Sequence, residues 1–379
     1  MSATLPSIDR WGSLEGKRVL VRVDFNAPVA DVDGVLTVTD DFRLRSTLPL
    51  FDVLLERGAT VVACTHFGRP DGRPDERYDV APLRRCLNGL RPEVELMENL
   101  RFHPGEESND PAFGASLVEG FDYYVNEAFG ASHRAHASIM VPPTLLPSAA
   151  GSNLQREVAT LLALLESPAR PFVAVTGGAK VKDKLGIMKV LAQKADVVIV
   201  GGGMAYTFAV AEGRTIGSSL FDGTFVDECA ALLEGGNVLI PVDARGLSTG
   251  SSFGPDGGNE TAIDFGENIP DGFEGLDIGR TSTEVFEAAI AGAATILWNG
   301  PMGVFEDPRF GAGTEAVARA IASSSAVSVV GGGDSVAALG SYGLSNDVSF
   351  VSTGGGASLE LVELGDLPGL RALRESPWN

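Results

Sequence analysis

Three of the chain's six lysines, Lys180, Lys182 and Lys184, fall within five residues, in Gly177-Gly178-Ala179-Lys180-Val181-Lys182-Asp183-Lys184. The run follows an apolar stretch, and arginine is preferred almost everywhere else. A glycine-opened turn offers unhindered backbone N–H groups, and ammonium groups beside it act as flexible point charges. Together they suit a polyphosphate or a phosphoryl group in transfer.

A second set is built on arginine. Asp24 and Asn26 accompany Arg22, Arg43, Arg69, Arg101 and Arg134, most of them just after short apolar runs. A guanidinium fork binds carboxylate or phosphate in bidentate fashion, so several forks can neutralise a compact anion that carries both groups. Any one of these arginines alone reads better as a surface salt bridge to the abundant acids, but the set reads as a binding site. The four histidines, His66, His103, His133 and His136, show neither metal-ligand spacing nor the context of a nucleophilic triad. His66 fits a neutral or cationic hydrogen-bond donor. A structural role is the default for His103 and is open for His136.

Glycine triplets recur in the second half, and five strand-to-glycine junctions in one region form a ready anion site where single triplets would not. Asp334 follows Gly331-Gly332-Gly333 and precedes Ser335. It is a candidate ligand for nucleotide-bound Mg²⁺, and spacing supports a helix N-cap almost as well. Glu306 could accept from ribose hydroxyls or face solvent. No Gly-x-x-x-x-Gly-Lys-Ser/Thr and no protein-kinase signature is present.

The elements that must position these residues form an α/β pattern. In the second half, Phe172 to Val175, Val197 to Val200, Thr295 to Leu297, Ser328 to Val330 and Ser349 to Val351 each run into glycine or turn residues, and Val238 to Ile240 precedes Pro241. Continuous apolar runs of this length read as parallel strands buried on both faces, joined by crossover helices such as Val181 to Lys194 and Thr283 to Ala293. In the first half Arg18 to Val23, Thr60 to Ala63, Val94 to Met97 and Tyr123 to Val125 lead into loops rich in arginine and histidine. The expectation is two doubly wound parallel-sheet, Rossmann-like domains facing a cleft, with ligands beyond the carboxyl ends of the strands. Domain limits are 1–150 and 168–357, joined by a helix over 151–167. Leu154, Val158, Leu161, Leu162 and Leu165 fit helical spacing there, with Ser152 as N-cap or Asn153 as its alternative. That helix could be a hinge or a rigid spacer.

A net charge of −21 argues against nonspecific binding to nucleic acid or anionic membrane. No apolar stretch of about 18 residues occurs and Met1 to Asp9 lack a signal pattern, so a cytoplasmic protein is expected. Cys64, Cys86 and Cys229 are widely spaced and read as free thiols. Arg245 to Glu260 is rich in glycine and serine.

Read together, Arg22-Val23-Asp24-Phe25-Asn26-Ala27-Pro28, His66-Phe67-Gly68-Arg69-Pro70, Glu98-Asn99-Leu100-Arg101-Phe102, Ala128 to His136, Gly177 to Val181, Trp298 to Glu306, Gly331-Gly332-Gly333-Asp334 and Ser352 to Ala357 resemble the phosphoglycerate kinase family, in its order and over nearly the whole chain. The resemblance implies reversible phosphoryl transfer from 1,3-bisphosphoglycerate to ADP, giving ATP and 3-phosphoglycerate, with Mg²⁺ on the nucleotide. Asp24, Phe25, Asn26, Arg43, His66, Phe67, Gly68, Arg69, Arg101 and Arg134 would hold the phosphoglycerate. Gly178, Ala179, Lys180, Lys184, Gly202, Gly203, Gly275, Leu276, Asn299, Pro301, Val304, Glu306, Gly332, Gly333, Asp334 and Ser335 would line the nucleotide site, with Asp334 toward Mg²⁺. Arg43, Lys180, Lys184, Gly332 and Gly333 would carry the catalysis, and Lys182 would face solvent. The family also implies a monomer, domain closure, and residues 358–379 packing back on the first domain. The 245–260 segment, Phe350 where a histidine is common, and Leu364-Gly365-Asp366 depart from the family pattern. Alternatives are another acyl-phosphate kinase or a catalytically silent nucleotide-binding protein.

Overall fold

The computed structural model describes residues 4–378. The chain divides into two compact units: one runs to Leu162 and resumes at Leu364, and the other is Ala163–Glu363.

The first unit carries strands β1 (Arg18–Arg22), β2 (Val29–Val32), β3 (Val35–Val38), β4 (Thr60–Cys64), β5 (Glu95–Leu96), β6 (Tyr123–Asn126) and β7 (Ser148–Ala150). β2 and β3 form a separate hairpin, and the other five form a parallel sheet in the order β5-β4-β1-β6-β7. Val21 lies opposite Ala63 on one side and Val125 on the other. Val19 and Val21 bury one face of β1 in the main core, and Leu20 is buried as well, as a strand covered on both faces requires. Helices Leu48–Glu56 and Ala81–Leu90 close the core with Leu50, Phe51 and Leu54, and with Leu83 and Leu87 one turn apart. Each such buried side chain contributes roughly 1.5–3 kcal/mol of transfer free energy.

The second unit contains β8 (Phe172–Thr176), β9 (Val197–Val200), β10 (Val238–Leu239), β11 (Ala244–Ser248), β12 (Ile263–Phe265), β13 (Phe273–Ile278), β14 (Thr295–Asn299), β15 (Val327–Gly331) and β16 (Phe350–Val351). Its parallel sheet has the order β10-β9-β8-β14-β15-β16. This is the dinucleotide-fold order, which reverses direction between β8 and β14, and the first sheet reverses likewise between β1 and β6. Val173, Val175, Ile296, Trp298 and Val330 pack against Phe286, Ile290, Val317 and Ile321 of the covering helices Arg280–Ala291 and Ala312–Ser323.

Three features differ from the sequence expectation. The glycine- and serine-rich 245–260 segment begins as β11, the centre of a three-stranded antiparallel sheet, β12-β11-β13. Its pairing partners lie well downstream, so no local periodicity announces them. The chain rejoins the first unit at Leu364 and not at 358. Ala357, Ser358, Leu361 and Val362 of helix Gly356–Leu364 are buried, whereas helix Pro368–Arg374 buries Leu370 and Leu373, and Gly369 N–H donates to the Ser132 carbonyl at 2.9 Å. The helix expected over 151–167 spans Ser152–Glu166, and the boundary between the units falls inside it. Leu164 is fully buried along it and Leu162 only half-buried.

Neither Ser152 nor Asn153 precedes that helix as its cap. The Glu127 side chain, just beyond β6, accepts the N–H groups of Asn153 at 3.0 Å and Leu154 at 3.2 Å. A carboxyl side chain from a distant loop thus takes up donors that a helix start leaves unpaired.

Candidate active site

In the first unit the carboxyl ends of β1, β4 and β6 bring the arginine loops together. Asp24 follows β1 and pairs with Arg43, at the start of the helical segment after the β2–β3 hairpin, at 2.5 Å. Burial pushes the Asp24 carboxyl up, and the charges of Arg43 and Arg22 help to hold the group below its ordinary value. Asn26 Oδ1 accepts the Gly68 N–H at 3.0 Å, and Arg101 donates to the Gly68 carbonyl at 2.7 Å. Gly68 is thus a junction of three loops. Its φ of +61° and the Tyr78 ring packed against its Cα leave no room for a Cβ.

Phe25 and Phe67 serve this site as scaffold. Both side chains are buried, and their N–H groups donate to Thr65 Oγ1 and Asn99 Oδ1. Arg69 and Arg134 are exposed, and among the described residues neither has an ion-pair partner. In a chain this acidic, unpaired guanidinium groups beside a sheet's carboxyl end are available to an external anion.

Arg22 has no exposed surface. Its Nε donates to Ser138 Oγ at 2.9 Å, Nη1 to the Val23 carbonyl, and Nη2 lies 3.1 Å from His66 Nδ1. Burial drives the His66 pKa down to about 3, with Asp24 opposing and the arginines assisting. His66 is therefore a neutral ring. His136 is buried and pushed down to about 4 by the same cause, and His133 is lowered too. His103 lies flat on Phe113, with ring centroids 4.1 Å apart, and accepts the Gly105 N–H. It takes no part in the arginine cluster.

The second unit has two hollows that share Gly178, Ala179 and Asp334. One, of about 390 Å³, is lined by Lys180, Lys184, Asn299, Gly332, Gly333 and Ser335 among others. The other, of about 300 Å³, is lined by Gly202, Gly203, Gly275, Leu276, Pro301, Val304 and Glu306 together with residues the sequence did not single out. Tyr206, Leu220 and Phe253 are chief among these. Tyr206 sits on the helix after the Gly201 triplet, and Phe253 comes from the atypical glycine- and serine-rich segment. Only folding brings that segment to β13.

The floor of the first hollow is made where the β8 and β14 turns meet. Gly177 N–H donates to the Asn299 carbonyl at 3.0 Å, and Gly178 N–H to the Pro301 carbonyl at 3.1 Å. A Cβ on Gly177 would collide with the Pro301 carbonyl, and one on Gly300, at φ +102°, with that of Gly177. Lys184 donates to Asn299 Oδ1, which fixes it beside the turn. Burial lowers its pKa to about 8, opposed by Asp334 and Asp183. Lys180 and Lys182 are exposed, but only Lys180 lines the hollow.

Helix Gly333–Ser341 points its first turn into the same space, with Gly332 before it at φ +90°. Asp334 lies inside this helix and makes no side-chain capping bond, which sets aside the N-cap alternative. Its exposed carboxylate borders both hollows, as a ligand to a cation carried on phosphate oxygens would. Ser335 Oγ accepts the Gly300 N–H at 2.5 Å and so braces the turn.

Two parallel-sheet units, one with clustered guanidinium groups and one with glycine turns and lysines at its switch point, define a two-domain α/β phosphotransferase. The family model for phosphoglycerate kinase matches residues 8–95 and 88–364. The phosphoglycerate kinase of Rubrobacter xylanophilus is 47% identical over 96% of each chain, and that of a Parafrankia strain 44% identical over 94% of this chain and 97% of its own. Among solved structures, the phosphoglycerate kinase of Coxiella burnetii is similar with a TM-score of 0.86 at 34% identity, covering 98% of this chain and 99% of the other. The chain belongs to the phosphoglycerate kinase family. Its activity is phosphoryl transfer to a carboxyl acceptor, between 3-phosphoglycerate and ATP in one direction and 1,3-bisphosphoglycerate and ADP in the other.

Proposed function

We propose that the first unit's cluster holds the phosphoglycerate and the second unit's paired hollows hold the nucleotide. One observation carries the assignment: every second-unit position that matches a family nucleotide-site motif lines one of two hollows joined at Asp334. The apolar hollow, walled by Tyr206, Leu220, Leu276 and Val304, suits the base, and the glycine- and lysine-lined one suits the phosphates. Asn26, Arg69, Arg101, Arg134 and His66 take the phosphoglycerate, and Arg43, aligned by Asp24, meets its carboxylate.

Attack by that carboxylate needs no general base, because it is ionised at neutral pH. One carboxylate oxygen forms the new bond to the γ-phosphorus as the bond to the β–γ bridging oxygen breaks and ADP departs. Lys180 and the Gly332 and Gly333 amides lie on the equatorial oxygens, Arg43 faces the transferring group, and Lys184 holds the nucleotide phosphates. Asp334 would hold Mg²⁺ on the nucleotide, where the ion supplies charge neutralisation. A monomer acting in the cytoplasm completes the reading, in line with the family resemblance. Among the described residues no helix is long and apolar enough to cross a membrane. Assays with ATP plus 3-phosphoglycerate and with ADP plus 1,3-bisphosphoglycerate test the activity, and Mg²⁺ omission tests the cation. Size-exclusion chromatography with light scattering tests the monomer.

A further inference from the structure

The Arg22 guanidinium is buried beside His66, and what holds it lies a layer deeper. Ser138 Oγ donates to Glu106 Oε1 at 2.6 Å, and Ser138 N–H donates to Glu106 Oε2 at 2.9 Å. With its proton committed to Glu106, the Ser138 hydroxyl can only accept from Arg22 Nε, at 2.9 Å. Arg22 has donors alone, so its Nη2–H must donate to His66 Nδ1, at 3.1 Å. The imidazole then carries its proton on Nε2. Glu106 and Ser138 are almost wholly buried, and Tyr124 fixes the same turn by donating to the Ser138 carbonyl at 2.7 Å. His136 Nδ1 stands 3.8 Å from Glu106 Oε1 and completes the surroundings.

We propose that Glu106, Ser138 and Arg22 act as a positioning chain that locks His66 in its Nε2–H tautomer, so that a neutral ring presents a donor and never an acceptor to the bound anion. Arg22, which can only donate, sets the proton's place on His66, and Glu106 acts on that ring by holding the guanidinium in place through Ser138. An acceptor nitrogen facing a phosphate or carboxylate oxygen would repel it. The low pKa of His66 agrees with this: burial is its main cause, and the neighbouring Arg22 charge lowers it further. The functional half of the inference rests on the phosphoglycerate reading of the first unit, and the tautomer itself does not.

Ring ¹⁵N NMR of histidine-labelled enzyme without substrate reads the tautomer directly, with His66 assigned by the signal lost in His66→Gln. Wild type is expected to show Nδ1 unprotonated and Nε2 protonated between pH 6 and 8. Ser138→Ala removes the central link and is expected to mix the tautomers and raise KM for 3-phosphoglycerate about tenfold, with KM for ATP unchanged. Ser138→Thr, which restores the hydroxyl, is expected to restore both. A single Nε2–H tautomer in folded Ser138→Ala would overturn the chain. Mixed tautomers with an unchanged KM for 3-phosphoglycerate would support the chain and overturn the placing of phosphoglycerate against His66. Circular dichroism establishes that each variant is folded, and Arg22→Lys, which keeps the charge but loses the fork, gives a second route to the same readout.

Discussion

Arg43 reaches Asp24 at 2.5 Å, so the arginine assigned to the transferring group is aimed by a carboxylate at the end of β1. Arg43→Ala is expected to lower kcat by roughly 10²–10³, the usual loss when one preorganised donor to developing charge is removed. ADP binding, measured by calorimetry, should change little. Wild-type turnover would take Arg43 out of the mechanism.

The three clustered lysines divide by position. Lys180 lines the hollow proposed for the phosphates and Lys182 does not. Lys180→Ala is expected to cost orders of magnitude in turnover with ADP affinity mostly kept, and Lys182→Ala to stay within about twofold, because an exposed side chain away from the site carries little. Comparable losses in both would return the pair to equivalence.

Lys184 is expected to make nucleotide affinity depend on pH. Its folded pKa, lowered to about 8 by burial, means that the free enzyme loses this ammonium as pH rises above 8. Phosphate binding favours the charged form, so this lysine's contribution to ADP affinity should be constant well below pH 8 and fall as pH rises through it. Lys184→Ala is expected to bind more weakly throughout and to flatten that part of the profile. An unchanged slope in the variant would assign the dependence to another group. The sign for stability is the reverse: the desolvation penalty is largest below the folded pKa and is relieved between about 8 and the unfolded value.

The β8–β14 turn tolerates no side chain. Gly177→Ala and Gly300→Ala each drive a Cβ into backbone carbonyl of the opposite turn. Each should lower stability by about 1–3 kcal/mol in urea titration and weaken ADP binding more than 3-phosphoglycerate binding. Equal weakening of both ligands would argue against the division of substrates between the units.

Glu127 has its pKa raised to about 8 by burial, in spite of the N–H groups it accepts. A carboxyl raised on folding binds its proton better in the native state, so stability falls as pH rises from the ordinary carboxyl range toward 8. Glu127→Gln removes that term. Urea midpoints should therefore move in favour of the variant as pH rises through this window, and a constant difference would mean that Glu127 is ionised in the native state throughout.

Much of this was legible before folding. The buried β-branched runs ending in glycine at Thr176, Val200 and Val330 mark parallel strands, since two-sided burial admits no polar alternation. The arginines after β1, β4 and β6 mark the other sheet's carboxyl end. The short edge strand β7, the β2–β3 hairpin and the antiparallel sheet around β11 were not legible. Their residues are few or partly exposed, and their pairing is long-range.

Residue type and order alone determined the fold class, the family and which residues could meet phosphate, because strand burial and glycine turns leave periodic, local marks. Only the tertiary structure decided how those residues are used. It buried Phe25 and Phe67 as scaffold, brought Tyr206 and Phe253 to the hollow proposed for the nucleotide base, and gave the linking helix Glu127 at its start. It also set His66 at one end of a hydrogen-bonded chain whose other end is the acceptor Glu106. Hydrogen-bond direction, burial and the pKa shifts that follow depend on neighbours tens of residues away, and no local pattern records them.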